Sequence, residues 1–243
     1  MTTVWQYPRL VAHRGAGKLA PENTLAAFRA GYAHGYRMFE CDVKLSTDGV
    51  AYLLHDATLE RTTDGVGDAG ERNWADLAQH DAGAWHSAQY AGEPLPTLAN
   101  IASFIRANDC FLNIEIKPIP GTDAATGAAV ANLAAQLWAS AAVPPLLSSF
   151  SPAALAAARD AQPLLPRALL VNRVADDWRA ALDELGCIAL DVNHLFLSDE
   201  RIAEIKAAGY RLLTYTCNDA EKAKRLLALG VDCVITDAVD VIV

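Results

Sequence analysis

Short apolar runs rich in β-formers recur along the chain, each followed by a segment in which apolar positions return at helical spacing. The runs are Leu10-Val11-Ala12, Met38 to Val43, Phe111 to Ile116, Pro145 to Ser149, Ala168 to Val171, Ile188 to Asp191, Arg211 to Thr214 and Cys233 to Thr236, eight in all. The intervening segments carry helix start signals. Thr24 is placed to cap a helix whose Leu25, Phe28 and Tyr32 share one face, and Thr97 does the same for Leu98, Ile101 and Ile105. Ser151-Pro152 reads as an N-cap followed by proline at the first helical position, and Asn218 with Glu221 reads as a capping box. Strand–helix alternation implies parallel β/α units. Eight of them in about 250 residues predict an α/β fold, the (β/α)8 TIM barrel.

Most runs are spaced by roughly 20 to 33 residues, as one β/α unit requires. The interval from residue 38 to residue 114 is about 76, so an insertion of about 50 residues separates the second strand from the second helix. It occupies 44–96 and is turn-rich, with Asp48-Gly49, Asp64-Gly65-Val66-Gly67, Gly70 and Gly83. Loops leaving the strand C-termini form the active-site face of a barrel, so this insertion is expected to overhang the site. The whole chain, 1–243, then forms a single catalytic barrel domain. A doubly wound open sheet is the competing architecture. His13-Arg14-Gly15-Ala16-Gly17 lacks the G-x-G-x-x-G spacing that fold would use, and no Walker pattern occurs.

Composition narrows the function. Of 243 residues, 52% are apolar, which excludes collagenous and disordered chains, and the abundant alanine points to closely packed helices. The 20 basic and 29 acidic side chains give a net charge of −9 without a basic cluster, which argues against nucleic-acid binding but not against a small phosphate-bearing substrate. No apolar stretch approaches the roughly 20 residues that span a bilayer, and residues 1–10 show no secretory pattern. Cys41, Cys110, Cys187, Cys217 and Cys233 are scattered and form no Cys-x-x-Cys pair, so free buried thiols are expected. Together these predict a cytoplasmic protein without membrane partners, monomeric or homodimeric.

Charge inside a strand needs compensation. Glu40 and Asp42 stand at i, i+2 on the second strand, and Glu115 and Lys117 repeat the spacing on the third, while Ile114 and Ile116 face the other way. Three carboxylates on neighbouring strands repel unless a cation joins them, and oxygen ligands favour one hard divalent ion, Mg²⁺ or Ca²⁺. His13 ends the first strand and is followed by Arg14; His55 follows Tyr52-Leu53-Leu54. Two histidines, two cations and three carboxylates are what phosphodiester cleavage needs. The cations offset transition-state charge, one histidine activates the nucleophile, and the other protonates the leaving alkoxide.

The ordered motifs resemble those of the glycerophosphodiester phosphodiesterases over essentially the whole chain. They are His13-Arg14-Gly15, Pro21-Glu22-Asn23-Thr24, Phe39-Glu40-Cys41-Asp42-Val43, Thr47-Asp48-Gly49 and His55-Asp56-x-x-Leu59-x-Arg61-Thr62-Thr63. Leu95-Pro96-Thr97-Leu98, Asn113-Ile114-Glu115-Ile116-Lys117, Ser149-Phe150-Ser151 and Gly230-Val231-Asp232…Thr236-Asp237 follow in order. The resemblance implies a (β/α)8 barrel that hydrolyses glycerophosphodiesters to sn-glycerol 3-phosphate and an alcohol. It implies metal binding by Glu40, Asp42 and Glu115, acid–base work by His13 and His55, and phosphate contact by Arg14 and Lys117. His13 is favoured as the acid and His55 as the base, with the reverse order left open. Asn23 either supports the phosphate loop or, with Thr24, caps the first helix. Where the family carries tryptophan in the seventh barrel strand, this chain has Tyr215, an aromatic surface for the glycerol carbons with an added hydroxyl.

The other singled-out residues carry weaker expectations. Asp191 and Asn193 face one way at the end of the sixth strand, placed to approach the site. Trp74, Trp85 and Tyr90 read as a satellite core within the insertion, with a lid over the head-group pocket as the alternative, and His34, His80, His86 and His194 as surface or structural residues. A lysophospholipase D-like enzyme would need an apolar docking face, and a non-catalytic binding barrel would be expected to lack part of the catalytic set.

Overall fold

The computed structural model describes residues 5–243. Part of the N-terminal segment read for a secretory pattern, residues 1–4, therefore lies outside the described residues. Eight parallel strands close into a barrel: β1 (Leu10–Ala12), β2 (Met38–Leu45), β4 (Phe111–Ile116), β5 (Leu146–Ser149), β6 (Arg167–Val171), β7 (Ala189–Asn193), β8 (Arg211–Tyr215) and β9 (Cys233–Thr236). Pairing of β1 with both β9 and β2 completes the ring. The ninth strand, β3 (Ala51–Leu53), lies antiparallel on the upper end of β2, with Val43 opposite Leu53 and Leu45 opposite Ala51. The Tyr52-Leu53-Leu54 run thus extends the sheet beyond the barrel and delivers His55 to its mouth.

Alternation along each strand divides the apolar side chains between two cores. Val11, Met38, Leu146, Ala168, Ala189, Leu213 and Cys233 point inward and fill the lower barrel. Tyr7 closes the bottom, edge-on to Phe111 at 6.0 Å, with its hydroxyl donating to the Pro144 carbonyl at 2.9 Å. Residues of the opposite register, such as Phe39, Cys41, Val43, Ile114 and Leu147, pack outward against the helices. The upper interior is polar, with Glu40, Asp42, Asn113 and Asp191 buried there.

The outer ring comprises α1 (Leu25–Ala33), α3 (Leu98–Ala107), α4 (Asp123–Leu137), α5 (Pro152–Ala161), α6 (Trp178–Leu185), α7 (Asp199–Ala207) and α8 (Ala220–Ala228). Thr24 caps α1, Thr97 caps α3 in a reciprocal box with Asn100, and Ser151 caps α5 ahead of Pro152. At α8 the cap is Asp219, which accepts from the Lys222 N–H at 2.8 Å, so the Asn218–Glu221 box does not form. Asn218 is instead drawn into the site. Alanine and glycine let α4 and α5 approach closely: a Cβ on Gly127 would lie 2.1 Å from the Ala154 carbonyl oxygen.

The insertion has its own small core of Tyr52, Leu54, Leu59, Ala69, Leu77, Ala82 and Leu95, with Trp74 packed against it beside the short helix α2 (Trp74–Leu77). Trp85 and Tyr90 do not join it. Trp85 is 40% exposed, and its indole donates to the Ala82 carbonyl; Tyr90 packs on the outer ring. All five cysteines are free and buried. Among the described residues no helix is long and apolar enough to cross a membrane.

Candidate active site

The three carboxylates converge as the strand register requires. Asp42 on β2 pairs directly with Glu115 on β4, and Glu40 lies one inward-facing position below Asp42. One oxygen from each of Glu40, Asp42 and Glu115 lies within 4.8 Å of the others. Glu40 is buried, and its Oε1 has no hydrogen-bond partner among the described residues; Oε2 accepts from the Arg14 backbone N–H at 3.1 Å. Burial, then Asp42 and Glu115, push the Glu40 carboxyl well above its ordinary range, and burial followed by Asp42 raises Glu115. Burial also opposes ionisation of Asp42, but Arg14, Lys117 and His55 outweigh it and hold that carboxyl low. An acid trio with an orphaned buried oxygen and mutual repulsion suits a divalent cation.

Two cations border the trio. Lys117 Nζ lies 3.0 Å from Glu115 Oε1 and 3.3 Å from Asp42 Oδ1. Arg14 Nη1 lies 2.8 Å from Glu22 Oε1, and Nε lies 3.2 Å from Asp42 Oδ2. Arg14 sits in the left-handed region at φ 51°, a strained conformation for a non-glycine residue that occurs in the tight turn after β1. Asn23 does not line the cavity. Its Nδ2 donates to Asp42 Oδ2 at 2.8 Å, and its Oδ1 accepts from the Asp42 N–H at 3.1 Å. Asn23 thus holds a carboxylate in place, and its backbone N–H donates to the Arg14 carbonyl at 2.9 Å, tying it to the turn that carries Arg14.

Each histidine is backed by an aspartate. His13 Nδ1 lies 2.6 Å from Asp237 Oδ1, and His55 Nδ1 lies 2.7 Å from Asp56 Oδ1. Occupied Nδ1 atoms leave Nε2 of each ring for proton exchange; that of His13 stands 3.9 Å from Glu40 Oε2. Asn218 fixes Asp237 through a donated bond of 3.0 Å to its carboxylate and an accepted bond of 2.8 Å from its N–H. The turn after β1 approaches Asp237 so closely that a Cβ on Gly17 would lie 2.2 Å from the Asp237 Cα. On the other side, Asp56 receives two bonds from Arg61, whose guanidinium also forks onto Glu22, and Glu22 reaches Arg14. A continuous ion chain thus ties His55 in the insertion to Arg14 in the barrel. Burial lowers the His55 pKa; Asp42 and the Asp56 hydrogen bond oppose that shift, while Arg14 and Lys117 reinforce it.

His13, Arg14, Glu40, His55, Glu115, Lys117 and Tyr215 line one cavity of about 270 Å³ at the barrel mouth. The Tyr215 hydroxyl lies 3.0 Å from the Val171 carbonyl, to which it donates, so the ring rather than the hydroxyl is offered to the cavity. Phe150 stands edge-on to it at 5.9 Å. A larger hollow of about 470 Å³ at the N-terminal face, between Trp5, Tyr7 and Ile188, is lined by no carboxylate or histidine. His34, His80, His86 and His194 do not reach the mouth cavity. Sequence alone gives Glu22, Asp56, Arg61 and Asp237 no role in the site, and gives Asn218 only that of a helix cap. Their signal was adjacency, since Asp56 follows His55 and Asp237 directly follows the last strand. Asp191 enters the cavity wall, whereas Asn193 turns away to cap the next turn at the Leu195 N–H.

Comparison with known proteins gives a consistent result. The model of the glycerophosphoryl diester phosphodiesterase family matches residues 13–241. The chain is 30% identical over 233 residues to a glycerophosphodiester phosphodiesterase of Caldanaerobacter subterraneus subsp. tengcongensis, covering 94% of this chain and 93% of that one. Its fold superposes with a TM-score of 0.90, at 36% identity, on an Oleispira antarctica phosphodiesterase solved with the product sn-glycerol-3-phosphate, covering 96% of this chain and 94% of that one. A glycerophosphodiester phosphodiesterase from Agrobacterium tumefaciens gives a TM-score of 0.81 at 28% identity, covering 96% and 97%.

Proposed function

Because this chain belongs to the glycerophosphoryl diester phosphodiesterase family and is an enzyme of that class, we propose that it hydrolyses glycerophosphodiesters to sn-glycerol 3-phosphate and an alcohol. The observation that carries this reading is one small cavity walled by an acid trio, two phosphate-complementary cations and two aspartate-backed histidines. Glu40, Asp42 and Glu115 would hold the divalent cation, Mg²⁺ or Ca²⁺. When bound, it supplies positive charge against the phosphate oxygens. Arg14 and Lys117 orient the diester and share that neutralisation.

His55 reaches the reaction as the neutral imidazole, because its burial disfavours the charged ring, and is the base that takes the proton of the attacking hydroxyl. His13 gives a proton to the departing alkoxide, whose P–O bond breaks as the new one forms. The attacking oxygen belongs either to water or to the substrate's own 2-hydroxyl; the second route forms a cyclic phosphate that water then opens. Both end in the same products. Because the insertion 44–96 supplies His55, it is part of the same catalytic domain in this reading. Five buried free thiols support work in the reducing cytoplasm.

The test is release of sn-glycerol 3-phosphate from glycerophosphocholine by the purified protein with Mg²⁺ or Ca²⁺, abolished by chelation. Loss of activity in His13→Ala and in His55→Ala is expected; retention in both variants refutes the assignment. Single-turnover reaction in ¹⁸O-water, with a search for the cyclic phosphate, separates the two routes.

A further inference from the structure

One fully buried acid in the cavity has no part in the proton transfers or the cation site. Asp191 on β7 is 0% exposed, and among the described residues neither of its carboxyl oxygens has a hydrogen-bond partner. It points into the barrel: Leu190 and Val192 on either side pack in the outer ring, and Ala189, two residues below, belongs to the interior core. Asn113 on β4 is a second orphan in the same cavity, 1% exposed and with an unpartnered Oδ1. The register sets Asn113 beside Glu40 and Asp191 beside Leu170, so the two orphans belong to different walls. Buried polar groups without partners are costly and few in native folds. Two in one cavity, besides the Glu40 oxygen that faces the cation site, point to a ligand that completes them.

The chemistry of that ligand follows from the surroundings. Asp191 offers two unpartnered carboxyl oxygens and Asn113 an unpartnered amide oxygen, groups that keep acceptor capacity in either protonation state of the acid; burial first, and then the Glu115 charge, push the Asp191 carboxyl well above its ordinary range. That combination matches neutral hydroxyl groups. The diester's phosphate already has Arg14 and Lys117. Leu170 and the face of Tyr215 line the same cavity and supply apolar contact for C–H groups beside those hydroxyls. A short polyol arm presents this alternation of hydroxyl and carbon. Phe150, 44% exposed, marks the opening through which a variable head group would extend.

We propose that Asp191 and Asn113 form the hydroxyl-binding floor that recognises the glycerol arm of the diester, with Tyr215 and Leu170 carrying its carbons. The proposal rests on the activity assigned above and deepens it by naming residues that select the glycerol side. Asp191 is a specificity residue, with no proton transfer assigned to it.

Calorimetry tests this apart from turnover and from the identity of the nucleophile. The two ligands are sn-glycerol 3-phosphate and n-propyl phosphate, which differ only in the two hydroxyls, each measured at saturating Mg²⁺ or Ca²⁺. The wild type should bind the glycerol ester about 10–100-fold more tightly, as one or two well-formed hydrogen bonds imply. Asp191→Ala should reduce the preference to below about threefold by weakening the glycerol ester alone, and the isosteric Asp191→Asn should keep most of it. Equal loss of both ligands in Asp191→Ala, or no preference in the wild type, overturns the proposal; the wild-type comparison needs no variant to fold. Preference without turnover of glycerophosphocholine overturns only the activity, and binding of neither ligand overturns both.

Discussion

Replacing Glu40 by glutamine should change the sign of its effect on stability when a divalent cation is added. Oxygens of Glu40, Asp42 and Glu115 lie within 4.8 Å of one another, and at that separation two full charges repel by about 3 kcal/mol at an effective dielectric of about 20. Arg14 and Lys117 cancel much of this, leaving a net penalty on ionised Glu40 of the order of 1 kcal/mol, the sign being that of its raised pKa. Glu40→Gln keeps the shape and an oxygen for the Arg14 N–H but removes the charge. A chain of this size shifts by about 2–4 °C per kcal/mol, so the metal-free variant should melt about 2–4 °C above the metal-free wild type near neutral pH.

The pH dependence has a defined direction. A carboxyl whose folded pKa is raised stabilises the fold fully below its ordinary value, 4.5 for glutamate, and loses that contribution as pH rises through the folded value. The advantage of glutamine should therefore vanish below about pH 4.5 and grow as pH rises. At a cation concentration 100 times its dissociation constant the wild type gains about 2.7 kcal/mol, or about 5–11 °C. The variant, one ligand short, gains less, and the order of melting temperatures reverses. Scanning calorimetry in chelator and in graded Mg²⁺ or Ca²⁺ measures both halves. A variant less stable than the wild type in chelator at pH 8, or no cation-induced shift in the wild type, refutes the reasoning.

Two further outcomes test other parts of the structure. Asp56→Asn removes the hydrogen-bonded carboxylate that raises the His55 pKa against burial, so the acid limb of the kcat/KM profile should move to lower pH, with the plateau reduced by up to about 100-fold; a limb moving to higher pH contradicts this. Gly127→Ala places a methyl 2.1 Å from the Ala154 carbonyl oxygen, so overpacking of about 1–3 kcal/mol should exceed the helix-propensity gain of about 1 kcal/mol and lower the urea midpoint; an unchanged midpoint shows that α4 and α5 separate freely.

What was legible locally and what was not divides along physical lines. The barrel strands could be read because each is a short apolar run, and the acid trio because i, i+2 carboxylates interrupt two of them. The strand β3 shows in the sequence only as a run before His55, since three residues carry too little alternation to declare a partner. The helix α4 has alanine on several faces and no side-chain cap, so neither period nor start signal marks it. At α8, Asn218 and Asp219 are both good caps. Their roles were decided by Asp237, which claims Asn218 from across the barrel mouth. Asn23 reads as a cap beside Thr24, but its positive φ of 58° turns its amide to Asp42. The supports His13–Asp237 and Arg61–Glu22 link residues 224 and 39 positions apart. Such pairs exist only once the ring has closed, so no local pattern contains them.

The same closure explains how the chain tolerates a costly mouth. A strained Arg14, a left-handed Asn23, three mutually repelling carboxylates and the orphaned Asp191 all lie at the upper end of the strands. Each opposes folding when considered alone. The acids sit on strands whose lower halves interlock in an apolar interior plugged by Tyr7 and whose outer faces are covered by helices, and the segment holding Arg14 and Asn23 leaves one of those strands. One strand carries both environments: Met38 packs in the lower core, while Glu40 and Asp42, on the same face, reach the cavity. Strain at the mouth can then relax only by disturbing a strand held along its length. The ion chain through Asp56, Arg61 and Glu22 extends that rigidity to the insertion. His55, though carried outside the eight-stranded ring, is therefore held against the same frame as His13, as the proposed acid–base pair requires.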